Sequence, residues 1–119
     1  MRRKKPCSYL DGIPCSIVAV SCALGRLPAG INVYESKLRE DGYASLKVAN
    51  RIIRDNLDVI KRTDYKRGER PLLKDLHLDG KAIVCVLGHL IYVDHETYHS
   101  LFDNETDEVV TVWKLKGTP

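Results

Sequence analysis

What this chain lacks narrows its identity first. Its longest apolar stretches, Ile13 to Leu24 and Ala82 to Val93, are broken by Ser16 and Ser21 or by Gly88 and His89. Both fall short of the ~20 residues that a membrane-spanning helix requires. The charged start Met1-Arg2-Arg3-Lys4-Lys5 runs into Pro6 and Cys7 without the apolar stretch or small-residue cleavage site of a secretory leader. Cytoplasmic residence is the simplest expectation. No C-x-x-C pair occurs among Cys7, Cys15, Cys22 and Cys85, and the spacing Cys-x7-Cys-x6-Cys matches none of the common zinc knuckles. These cysteines also make a poor disulfide framework, because Cys15 and Cys22 lie two turns apart on one expected helix and cannot bridge each other. No metal or other cofactor is expected. A net charge of +3 is too small to mark a nucleic-acid binder, and no helix-turn-helix, zinc finger or aromatic-basic platform is visible. Internal repeats and low-complexity segments are missing as well.

What is present fits one folded unit. The 119 residues suffice for a single core and are too few for two domains of ordinary size. With 44% hydrophobic and 29% charged residues, the composition is that of a globular protein. Residues 1–12 read as an arm that ends at the Asp11-Gly12 turn. The run from Ile13 to Leu24 is apolar on nearly all faces, which marks a central helix, with Gly25 as its stop. A second helix is expected from an Asn32 cap to Glu40, ending at Asp41-Gly42. A third begins at a Ser45 cap and carries Leu46, Val48, Ala49, Ile52 and Ile53 as a helical stripe. A short strand follows around Asp58 to Lys61, then a polar loop from Lys61 to Arg70. A short helix covers Pro71 to Leu76, with proline in its first turn.

From Lys81 onward the pattern changes to strands: Ala82 to Leu87, Leu90 to Val93, one near Tyr98 to Phe102, and Val109 to Leu115. Asp94-His95-Glu96 reads as a tight turn. Helices first and an antiparallel sheet of about four strands second is an α+β arrangement.

Two residues stand out chemically. Cys15 opens the apolar helix directly behind the chain breakers Gly12 and Pro14, where free backbone N–H groups and the helix dipole favour a thiolate. His89 stands far downstream between two β-rich segments. The pair reads as a thiol nucleophile and its base.

This order of elements resembles the papain-like cysteine peptidase fold in a reduced form, in particular small phage-associated papain-like proteins of about this length. The likeness is carried by Cys15 at the start of a buried helix and by Gly80-Lys81-Ala82-Ile83-Val84-Cys85-Val86-Leu87-Gly88-His89-Leu90-Ile91-Tyr92-Val93. A Phe102-Asp103 pair and the late strand Val109-Val110-Thr111-Val112-Trp113-Lys114 complete it. The resemblance implies a peptidase or amidase that cleaves a peptide or isopeptide bond. Cys15 would attack, His89 would move the proton, and Asp103 would orient the imidazole, with Asn104 as the nearest substitute and His99 and Ser100 a register shift away. The Cys15 N–H would serve as one oxyanion donor. The family's side-chain amide about six residues before the nucleophile is replaced here by Tyr9, with Ser8 beside it.

Each residue also has a plainer reading. Cys15, and still more Cys22, can be a packed core thiol, as Cys85 on its strand is expected to be. His77, His95 and His99 read as loop or surface residues, and Asp103 as one carboxylate of an acidic 94–108 rim. Trp113 reads as core or sheet surface. The alternative function is an inactive papain-like binding module, of the kind a phage encodes to modulate a host protein. Its expected partner is a peptide or protein, with no membrane and no nucleic acid. A third class, a nucleic-acid binder acting through its basic tail, would depend on Arg2-Arg3-Lys4-Lys5.

Overall fold

A computed structural model describes residues 3–5, 15–42, 45–78, 80–87, 89–95, 97–99 and 105–116. Three helices come first: α1 (Cys15–Leu24), α2 (Ile31–Asp41) and α3 (Leu46–Asn56). Five strands follow: β2 (Val59–Asp64), β3 (Lys81–Val86), β4 (His89–Asp94), β5 (Thr97–His99) and β6 (Val109–Leu115). They pair antiparallel throughout. The arm adds β1 (Arg3–Lys5), which pairs in parallel with β5. The α+β class therefore holds. The sheet has six strands in the order β1-β5-β4-β3-β6-β2, more than the four expected, because part of the arm and the polar β2 both join it.

α1 is apolar all round because it is enclosed, and Ser16 to Ser21 are buried without interruption. The buried Ser21 hydroxyl is satisfied by donating to the Ile17 carbonyl at 2.7 Å. Gly25 ends the helix at φ 78°, its N–H bonded to Ser21 O at 2.8 Å. α2 does not begin at an Asn32 cap. Gly30 precedes it in the left-handed region, and the Gly30 carbonyl accepts from Val33 and Tyr34, so Asn32 falls within the first turn. α3 begins as the sequence suggests, with Ser45 Oγ accepting from Val48 N at 3.3 Å, and it buries Val48, Ala49, Ile52 and Ile53.

The polar segment after Lys61 is partly strand. β2 continues to Asp64 because it pairs with β6, Thr63 opposite Val112 and Asp64 opposite Thr111. As the outermost strand it needs little apolar surface, so its sequence shows no alternation. The helix expected over Pro71 to Leu76 is a single 3-10 turn, Leu73–Asp75.

The sheet separates two apolar clusters. On one face Ile83, Cys85, Leu90, Tyr92, Trp113 and Leu115 pack against α1, α2 and α3. On the other, Val84, Val86, Ile91, Val93, Tyr98 and Val112 pack with Leu73 and Leu76. β6 lies between β3 and β2, and through Trp113 and Leu115 it contributes to the helix-side core. Cys22 corrects the expectation of a core thiol: it is half-buried and disulfide-bonded, whereas Cys15 and Cys85 are free. Helix geometry excludes a Cys15–Cys22 bridge but not a partner outside the helix. A lasting disulfide is uncommon in a reducing cytoplasm. Among the described residues no helix is long and apolar enough to cross a membrane.

Candidate functional site

Cys15 is the first residue of α1, half-buried and free. The first turn of a helix leaves backbone N–H groups without intrahelical partners, a setting that favours negative charge. α1 lies across β3 and β4, and Cys15 packs against the helix-side core to which Cys85 and Leu90 belong. Burial pushes the Cys85 thiol up to about 11, and the neighbouring Cys15 adds to the effect. Cys85 is therefore a packing residue, protonated at neutral pH.

His89 is the first residue of β4, where the chain returns from β3. It is half-buried, and burial lowers its pKa below the ordinary 6.5, opposed in part by the Asp107 carboxylate. At neutral pH the imidazole is uncharged, as a general base must be.

The pleat decides whether these two residues meet. Side chains alternate between the two faces of a strand. On β4, Leu90 and Tyr92 belong to the helix-side cluster, and Ile91 and Val93 to the opposite one. His89 shares the phase of Ile91 and Val93. Its cross-strand partner is Val86, also a member of the far cluster. Cys15 thus packs on one face of the sheet while His89 is directed to the other. The two are close along the strand axis, because the Cys85–Leu90 pair beside Cys15 immediately precedes the Val86–His89 pair. Asp103 and Asn104, with Ser100, Gly88, Ser8 and Tyr9, lie outside the described residues.

The other histidines separate clearly. His99 is not in a loop: it sits on β5 opposite Tyr92, half-buried, with ring centroids 5.0 Å apart. Tyr92 belongs to the helix-side cluster, so His99 shares the face of Cys15, further along the sheet. His95 occupies the turn at φ 53°, its Nδ1 2.7 Å from Asp94 Oδ1, and is exposed, as is His77. Among the described residues no three histidine, cysteine or carboxylate side chains come together as metal ligands.

A concavity on the helices escaped the sequence reading. It lies between α2 and α3 and is lined by Tyr34, Lys37, Asp41, Lys47, Val48 and Arg51. The signal was present in Lys47 and Arg51, two cations one turn apart at the start of α3.

Comparison of the chain with protein-family models, with curated proteins and with solved structures finds no match.

Proposed function

We propose that this chain is a non-catalytic binding module on a papain-like frame, taking a peptide or protein partner, as in a phage-encoded modulator of a host protein. The observation that carries this reading is the phase of β4, which directs His89 away from the face on which Cys15 packs. A thiol is activated by a base within about 3 Å, and a sheet between the two prevents that contact. The helix start, the thiol and the neutral histidine are then features of the frame without a reaction to perform.

The second reading is a thiol hydrolase acting on a peptide or isopeptide bond, with Cys15 as nucleophile, His89 as base and Asp103 as orienting residue. It is favoured by the position of Cys15, free and half-buried at the first residue of α1. It requires the imidazole to reach the Cys15 side around the end of the β3–β4 hairpin.

Iodoacetamide labelling of each cysteine across about pH 4 to 9, in the wild type and in His89→Ala, separates the two. A binding module gives Cys15 labelling no faster than that of an ordinary free thiol at each pH and indifferent to His89→Ala. Fast labelling at acidic pH that disappears in His89→Ala would overturn it in favour of the hydrolase.

A further inference from the structure

The α2–α3 cleft contains charges that the fold itself does not explain. Lys47 is the second residue of α3, where the helix dipole opposes a cation, and the first turn holds no acidic residue to offset it. Arg51 stands one turn further, so the two form an i,i+4 like-charge pair, which destabilises the helix. Lys37 faces them from α2. Its contact with Glu40 is 3.9 Å, and that of Arg51 with Asp55 is 3.8 Å, both long and exposed. Lys47 has no ion-pair partner among the described residues. An anion between these three cations would relieve both costs at once.

Apart from Asp41, the rest of the lining is apolar and fixed. Val48 is buried beneath the cations, and the Tyr34 ring forms a wall. Tyr34 is held in place through its hydroxyl, which donates to Asp55 Oδ2 at 3.0 Å and accepts from Asn56 Nδ2 at 3.1 Å. The cleft measures about 190 Å³. That is a little more than the ~150 Å³ that accommodates a benzene ring, and less than the ~300 Å³ at which drug-sized pockets begin. Asp41, also in the lining, offsets one of the three cationic charges, so the cleft keeps a net positive charge that suits a dianion.

We propose that this cleft binds a small phosphate monoester, its phosphate held by Lys37, Lys47 and Arg51 and its compact organic part lying on Tyr34 and Val48. Three cations from two helices suit the three outer oxygens of a tetrahedral dianion better than a planar carboxylate. The inference is independent of whether Cys15 is reactive.

Phenyl phosphate is the probe, titrated into the full chain at low ionic strength by calorimetry, with inorganic phosphate and phenol run beside it. Saturable binding of phenyl phosphate is expected, at least about tenfold tighter than that of either fragment, and weakened about tenfold or more in Lys47→Gln and in Arg51→Gln. Both positions are exposed, so the variants fold. No saturable heat, inorganic phosphate binding as tightly as the ester, or affinity unchanged in both variants would overturn the proposal.

Discussion

Trp113 shows how much a single side chain contributes. It is fully buried on the helix side of β6, yet its indole N–H reaches Asn50 Oδ1 on α3 at 2.9 Å, and Asn50 also accepts from Arg54 Nε at 3.1 Å. The Arg62 guanidinium on β2 lies 5.4 Å from the ring centroid. One aromatic residue therefore ties a helix to two strands. Asn50→Ala leaves a buried donor without its acceptor and should lower stability by about 1–3 kcal/mol, read from urea unfolding followed by the chain's one tryptophan. A loss below about 0.5 kcal/mol would mean that the N–H finds another acceptor, against the expected penalty of orphaning it. That Trp113 belongs to the core or to the sheet surface was legible in the sequence. Its partner was not, because Asn50 reads in sequence as an ordinary polar helix residue.

Among the elements, α1, α3, β3 and β6 lie close to where the sequence puts them. α3 shows its stripe and its cap because only Val48, Ala49, Ile52 and Ile53 are buried. Ser45→Ala should cost about 1 kcal/mol through loss of the bond to Val48 N, seen as a lower thermal midpoint with an unchanged far-UV spectrum. An unaltered midpoint would show that the cap contributes nothing here. β2 was only half recognised, since an outer strand with a polar sequence resembles a loop until its partner β6 is known. β4 was recognised as a strand, but not its phase. Leu90, Ile91, Tyr92 and Val93 are apolar on both faces because both faces are covered. Four consecutive apolar residues do not reveal which of them looks toward α1. The sequence therefore puts Cys15 at a helix start and His89 at a strand start without showing that the sheet lies between them.

For the whole molecule, buried titratable groups set opposite limits on stability. The unfolded chain protonates His89 near 6.5 while the folded chain resists until lower pH. Below neutrality the unfolded state thus binds more protons, and stability falls as pH falls. On the alkaline side the unfolded Cys85 loses its proton from about 9 and the folded one only near 11, and Tyr92 is pushed up to about 12. There the unfolded state binds fewer protons, so stability falls as pH rises from about 9 to 11. Urea midpoints measured across the range should form a plateau between the two limbs. Cys85→Ala should reduce the slope of the alkaline limb whatever it does to the height of the plateau, and an unchanged slope would remove Cys85 from this account. The position of β6 acts on a different timescale, that of synthesis. Residues 109–115 are made after every strand they join, yet they sit between β3 and β2. Until they emerge from the ribosome, one flank of the apolar β3 is open and β2 has nothing to pair with. The nascent chain must therefore pass through a period of sticky, unpaired edges that closes only when β6 slots into the gap.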